Sequence, residues 1–461
     1  MKKFCVCLSV IFFSSFFASL VQSSFGSVNI QTIKIPTQNG QWVVADLYKP
    51  SSATKMSPAP AVIIIPGFQR SKETLSNIAI ELSRRGIVSI SIDPYAQGSS
   101  SSSMSTRAAT TEGYGMFAMV DFIYNTDILN YIDKKKIGAT GHSAGGLAAI
   151  RGAQYFGMQA ENLKEESKIH SAFISGMIRM GFKPKDVGKI KSNVGISYAY
   201  YDEGAWQNIL GNGDMSIAPE IIGLLEHQLN SKNSPFEKIE IDKHYGNIDD
   251  KTFMVVHNEK VLHPLQPYAR EAMSNQILFF QKVFKMENTI PSMNQIWHWK
   301  ELFTFISLVC SFFMIIPMTS LILSTTYFQS IITPITRPES RPKGKASVAF
   351  WCSIIVGTTV ACFSFIPLSE LSKIIFIDAS SRIQTWFFPQ RMNNAVMLWA
   401  IVNGTVGIIL FFIPSIFLKK QINISDRKWG LKISNKQLIK TGFLALIIFF
   451  FYFLILNIIY Y

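Results

Sequence analysis

After Lys300 the chain holds four apolar runs, residues 302–324, 346–368, 395–418 and 441–460, none with an acidic or basic side chain. About twenty such residues are what a helix needs to cross the hydrocarbon core of a bilayer. In lipid every backbone polar group must be satisfied within its own segment, so these runs have few options besides spanning helices. The loops between them, residues 325–345, 369–394 and 419–440, carry 4, 3 and 7 Lys+Arg. The two richer loops belong on the cytoplasmic side by the positive-inside bias, which makes the first span run inward and leaves the preceding residues outside. The N-terminus requires the same orientation. Lys2 and Lys3 precede an apolar run from Phe4 to Val21, the pattern of a signal peptide or a retained anchor over residues 1–27. Val21-Gln22-Ser23 allows cleavage and the run is long enough to span, so both forms stay open here.

Composition fits this division. Of 461 residues, 48% are hydrophobic and 16% charged, and the formal charge is +14. A basic chain raises the question of nucleic acid, but the charge is unevenly placed. Residues 28–300 hold 28 Lys+Arg against 25 Asp+Glu, and residues 301–461 hold 14 against 5. The excess lies among the spans, where it sets topology and forms no nucleic-acid face. The five cysteines all lie in apolar runs outside 28–300. That region therefore has no disulfide framework, zinc–cysteine site or cysteine nucleophile. It also lacks an N-x-[ST] sequon, which fits a bacterial plasma-membrane protein.

Residues 28–300 read as a water-soluble domain. Val28–Ile35 and Trp42–Tyr48 alternate like strands around Asn39-Gly40, a hairpin-turn pair. Ala61–Ile65 is a continuous apolar run, as expected of a strand buried on both faces, and Ile87–Ile92 reads as another buried strand. Ile137–Thr140, Ala172–Ser175, Val194–Tyr201 and Thr252–Val256 read as further strands. Helical periodicity appears over Ser71–Arg85, Tyr114–Ile132 and Ala144–Phe156. Alternating strands and helices predict an α/β class domain, a mainly parallel sheet with helices on both faces, followed by transmembrane α-helices.

The sharpest chemical signal is Gly141-His142-Ser143-Ala144-Gly145, between a predicted strand and a predicted helix. This is a G-x-S-x-G nucleophile elbow, in which the tight turn lifts the serine hydroxyl above the sheet and needs glycine where a β-carbon would collide. The next backbone N–H, that of Ala144, points toward the reacting oxygen. With the elbow in this place, residues 28–285 resemble the α/β-hydrolase superfamily, in particular its dienelactone-hydrolase-like branch. Ile63-Ile64-Ile65-Pro66-Gly67-Phe68 stands where that family has a strand ending in His-Gly. The resemblance implies an oxyanion hole of two backbone N–H groups, from Phe68 (Gln69 as second choice) and Ala144. Asp93-Pro94-Tyr95-Ala96-Gln97-Gly98-Ser99 is similar to the family's Asp-x-x-Gly-x-Gly-x-Ser loop, with Ala96 at the first glycine.

The chain order of the fold, nucleophile then acid then histidine, selects the partners. Asp202 follows the strand Val194–Tyr201 and is the favoured acid, with Glu203 the alternative and Asp214 a distant third. His263 before Pro264 is the favoured base, and His257 at the edge of the last strand is the alternative. His142, His170, His227, His244 and His298 read as structural or solvated, with His142, inside the elbow, also placed to line the pocket rim. No H-E-x-x-H pattern, Cys/His cluster or G-K-[ST] phosphate loop is present, so neither cofactor nor metal is expected. The sequence thus predicts a membrane-anchored serine hydrolase, its catalytic domain on the extracytoplasmic side. It would act on an ester, thioester or amide of a small-molecule or lipid-like acyl compound, with membrane lipids as neighbours. Acyl transfer by the same triad, and a catalytically silent membrane sensor or scaffold, are the alternatives. The four C-terminal runs carry no ionisable group of the kind a transport pathway uses.

Overall fold

The computed structural model describes residues 1–37, 40–102, 112–176, 189–230, 236–287, 289–333, 344–380, 385, 393–422 and 434–460. In chain order its principal elements are α1 (Lys2–Gln22), β1 (Val28–Pro36), β2 (Trp42–Pro50), β3 (Ala59–Ile65), α2 (Ser76–Ser83), β4 (Val88–Ile92), α3 (Met116–Asn125) and β5 (Ile132–His142). There follow α4 (Ala144–Leu163), β6 (Ser171–Ser175), β7 (Asn193–Ala199), α5 (Pro219–Gln228), β8 (Met254–Glu259) and α6 (Arg270–Val283). The last four are α7 (Trp297–Leu323), α8 (Lys345–Ile375), α9 (Asn393–Ile422) and α10 (Asn435–Tyr460). Two compact units result, one covering Leu20–His298 and one built from Met1–Ser19, Trp299–Ser380 and Met392–Tyr461.

The first unit is an eight-stranded sheet in the order β1-β2-β4-β3-β5-β6-β7-β8. β2 runs antiparallel to both β1 and β4, and every pairing from β4 through β8 is parallel. Helices cover both faces, so β3, β4, β6 and β7 are buried along their whole length, and their sequences hold only apolar and small polar residues, without a charged side chain. This is the α/β-hydrolase fold. On one face Phe173, Phe279, Phe280 and Phe284 pack with Val62 and Ile64. On the other, Ile63 and Ile65 meet Met116, Val120, Ala148 and Ala149. A mid-sheet strand without its aromatic cover loses several kcal/mol; Phe280→Ala alone would cost roughly 3–5 kcal/mol.

Three sequence expectations shift. The helix read over Tyr114–Ile132 stops at Asn125, because Thr126 turns to extended backbone and its hydroxyl accepts the Ile128 N–H. β5 starts at Ile132, well before Ile137; its lysine-rich first half disguises a strand that pairs Ile132 with Ala59 and breaks register before Ala61. The last strand runs on to Glu259, which places His257 within it. Asn39 of the expected hairpin turn lies outside the described residues, and Gly40 beside it has φ +73°.

The second unit is helical. Among the described residues, five helices, α1, α7, α8, α9 and α10, are long and apolar enough to cross a membrane, and large apolar side chains such as Phe313, Ile366 and Phe453 face outward. α1, α7 and α10 meet around Ile11, Met314 and Ile455. The Ser15 and Ser307 hydroxyls are 3.1 Å apart and Ser307 also donates to the Ile11 carbonyl. α8 and α9 join through the Trp399 indole, which donates to the Ala361 carbonyl, and through Asn403 to the Ser364 hydroxyl.

Candidate active site

β5 ends at His142, and Ser143 turns the chain into α4 with φ 58° and ψ −123°. That conformation is strained for a residue with a side chain, by about 1–3 kcal/mol, and persists only where the surroundings enforce it. Here the enforcement is steric. A β-carbon on Gly145 would lie 2.0 Å from the Ile65 carbonyl oxygen, and one on Gly141 would lie 2.4 Å from the Gly145 backbone. The elbow and the end of β3 therefore touch backbone to backbone. The Ser143 N–H is used by the Ser175 carbonyl at 2.8 Å, and the Ala144 N–H stands at the head of α4, where helix N–H groups have no intrahelical partner. Gly67 lies against the elbow: a β-carbon there would be 3.4 Å from Ser143 Cβ. The turn that follows is closed by the Arg70 N–H on the Gly67 carbonyl, with Gln69 at φ 58°, and it carries Phe68 past the serine.

Asp202, three residues beyond β7, is 3% exposed. Its Oδ2 lies 2.6 Å from His263 Nδ1, and its Oδ1 accepts the Gly204 N–H at 2.7 Å. A carboxylate can only accept, so the proton in this contact sits on His263 Nδ1. His257 is paired differently: its Nδ1 is 2.6 Å from Asp242 Oδ1 and its ring lies near Phe173. Glu203 is exposed, and Asp214 accepts from Ser216 in the following turn. The structure thus brings Asp202 to His263 and holds His257, Glu203 and Asp214 in other arrangements.

His142 has a part that the sequence did not suggest. It is buried, its ring centroid is 4.6 Å from that of His263, and its Nε2 is 3.0 Å from the His263 carbonyl. Because a carbonyl only accepts, Nε2 is the donor. Burial, then the neighbouring His263, push the His142 imidazole down to about 3. It therefore stays neutral near physiological pH and adds no cation beside His263. A second support lies three residues on, in the 3₁₀ turn His263–Tyr268. The fully buried Gln266 amide donates to Ser197 Oγ and Glu259 Oε2, while Ser197 and Asn275 also donate to the Glu259 carboxylate. A polar residue in the histidine loop was the signal available for this, but its partners are distant in sequence.

The loop after β4 is fixed by Asp93. Its buried carboxylate accepts the Lys72 N–H at 2.8 Å and the Ser99 N–H at 2.9 Å. Gly98, at φ 55°, passes so close that a β-carbon would fall 2.2 Å from the carboxylate. Asp93 therefore joins this loop to the end of the Gly67–Ser71 segment. Burial pushes its pKa up to about 6, against the two N–H bonds that pull it down. Residues 103–111 of the loop, and 177–188 after β6, lie outside the described residues. Among the described residues no three metal-ligating side chains are gathered.

Residues 16–162 match the PET hydrolase-like (PETase) family. No curated protein matches the chain. Among solved structures, a Pyrococcus furiosus esterase is 15% identical, spanning 56% of this chain and 93% of its own, with a TM-score of 0.38. A dienelactone hydrolase-like promiscuous phosphotriesterase from metagenomic libraries is 13% identical, spanning 56% and 99%, with a TM-score of 0.38. A Pyrobaculum calidifontis esterase is 15% identical, spanning 62% and 93%, with a TM-score of 0.37.

Proposed function

We propose that this α/β-hydrolase, a serine hydrolase of the esterase kind, is membrane-anchored and cleaves acyl compounds through a covalent intermediate on Ser143. The observation that carries the reading is the 2.6 Å contact of His263 Nδ1 with the buried Asp202 carboxylate, which leaves Nε2 as the base. In the proposed cycle, His263 Nε2 takes the Ser143 proton as Oγ attacks the substrate carbonyl. The tetrahedral oxyanion is held by the Phe68 and Ala144 N–H groups, each donor contributing about 3–4 kcal/mol. Asp202 holds the tautomer and stabilises the imidazolium. The imidazolium then protonates the leaving group as the acyl–Ser143 ester forms. Water, deprotonated by the same nitrogen, attacks that ester, and its proton returns to Ser143.

Anchoring is supported by the five apolar helices and by the loop charges. The packing of α1 with α7 and α10 favours a retained N-terminal span, because the side of α1 bearing the buried Ile11 and the half-buried Ser15 has its partners within the C-terminal helices. With Lys2 and Lys3 in the cytoplasm, the hydrolase domain is extracytoplasmic.

The test is labelling of the detergent-solubilised full chain with a fluorophosphonate. Wild type and His257→Ala should label, Ser143→Ala should not, and His263→Ala should label at least a hundredfold more slowly. An unlabelled wild type, or labelling that survives in Ser143→Ala, overturns the proposal. Fast labelling of His263→Ala with loss in His257→Ala would move the base to His257.

A further inference from the structure

The site has an apolar border. Among the described residues between 28 and 298, 17 large hydrophobic side chains are exposed, and nine of them fall on the stretches 67–70, 200–210 and 260–268. These are the stretches that carry Phe68, Asp202 and His263. Phe68 is 46% exposed, Tyr201 57%, Trp206 62%, Ile209 76%, Leu262 50% and Leu265 54%. The last two stretches are stitched side by side, with the Tyr200 N–H on the Glu259 carbonyl and the Tyr201 N–H on the Val261 carbonyl. Tyr201 and Leu262 thus flank the Asp202–His263 pair. An exposed apolar concentration of this kind marks a binding surface. Here it is built on the same loops that carry the proposed catalytic groups.

Resting on the serine-hydrolase reading, we propose that the substrate is a long-chain acyl ester taken from a lipid surface, its alkyl chain lying across Tyr201, Trp206, Ile209, Leu262 and Leu265. A short polar ester would leave this border in water and gain nothing from it. An acyl chain removes both its own methylenes and these side chains from water. The same chain carries five helices long and apolar enough to span a bilayer, which keeps it where such esters are concentrated. A protein partner is disfavoured by position, since it would cover the loops through which the substrate must enter.

The experiment uses the full chain in detergent, with p-nitrophenyl butyrate and p-nitrophenyl dodecanoate in mixed micelles as probes. Half-burial of eight further methylenes, at about half the full transfer energy, gives the longer ester an advantage in kcat/KM on the order of 100-fold. Leu262→Asn/Leu265→Asn and Trp206→Ser/Ile209→Asn should each reduce that ratio about tenfold while Ser143 still labels with fluorophosphonate. Ile128→Asn, at a 79% exposed apolar residue away from these loops, should leave the ratio unchanged and controls for surface hydrophobicity. A wild-type ratio near one overturns the proposal. So does a ratio that the border substitutions do not move, which would assign the patch to a protein partner or a second copy. Absence of Ser143-dependent hydrolysis of both esters would instead refute the serine-hydrolase reading beneath it.

Discussion

Asp93 allows a quantitative test of how the site is held. Its carboxylate is 1% exposed as a residue, joins two loops by backbone N–H bonds, and faces Lys72, with Glu73 and Asp46 paired to that lysine's ammonium. Desolvation raises its pKa from 3.8 to about 6. An acid raised on folding binds protons more tightly in the folded state. Its contribution is therefore most favourable below the unfolded value near 3.8 and is lost as pH rises through 6. At 1.36 kcal/mol per pH unit, keeping Asp93 ionised at neutral pH costs about 3 kcal/mol, of which about 2 kcal/mol falls between pH 4.5 and 7. Asp93→Asn removes the titration. The assay is thermal unfolding of the full chain by tryptophan fluorescence from pH 4.5 to 8, comparing wild type with Asp93→Asn. For a domain of this size 1 kcal/mol moves the midpoint by about 2–4 °C. The wild-type midpoint should thus fall relative to the variant by roughly 4–8 °C as pH rises from 4.5 to 7. The variant should also lose about tenfold in kcat/KM, because an amide can accept only one of the two N–H bonds and the Gly67–Ser71 segment loosens. Parallel midpoint curves, or a wild type that gains on the variant with rising pH, would refute the reasoning.

Other perturbations probe the remaining supports. Asp202→Asn presents its amide N–H or its carbonyl to His263 Nδ1 and no longer fixes the tautomer; ester turnover should drop about 10⁴-fold with the fold intact by circular dichroism. Gln266→Met keeps the volume but removes the donors to Ser197 and Glu259. It should reduce kcat more than it raises KM, and a pure loss of thermal stability with unchanged kcat would show that the network does not position His263. A Ser15→Cys/Ser307→Cys pair, at hydroxyls 3.1 Å apart, should form a disulfide on oxidation and so keep α1 attached after cleavage between residues 22 and 28. Recovery of mature protein beginning after Gln22 would refute a retained α1.

What was legible in the sequence was what depends on local pattern. Strands buried on both faces are rich in apolar residues and free of charge, so Ala61–Ile65 and Ile87–Ile92 marked the centre of the sheet within two residues of β3 and β4. The long apolar helices were equally plain, since runs of about twenty uncharged apolar residues leave the chain little else to form. Pattern failed where tertiary pairing overrides it. Asp133-Lys134-Lys135-Lys136 has no strand signature, yet these residues lie in β5. At the site, spacing could nominate Ser143, Asp202 and His263 but could not tell His263 from His257, because the choice rests on which carboxylate each ring reaches. Asp242, the partner of His257, reaches it from a backbone at φ 62°, a conformation with no sequence signal. The bond from His142 to the His263 carbonyl was invisible for the same reason, spanning 121 residues.

The physics of the site is concentrated at one edge of the sheet. Three buried carboxylates stand at or just beyond the C-terminal ends of strands, Asp93 after β4, Asp202 after β7 and Glu259 closing β8. Each holds a loop that bears a proposed functional group: Asp93 the segment after Gly67, Asp202 the ring of His263, and Glu259, through Gln266, the turn that His263 begins. A buried carboxylate is a poor stabiliser of a fold, since desolvation offsets much of what its hydrogen bonds return. Apolar side chains of similar volume would pack there at lower cost, but they could not aim a backbone N–H or fix a tautomer. The strained Ser143 backbone adds a further 1–3 kcal/mol on the same edge. Glu81, the fully buried carboxylate of α2, is different in that Arg84 and Arg85 neutralise it; stability given up at four places along one edge argues that this edge is organised for chemistry.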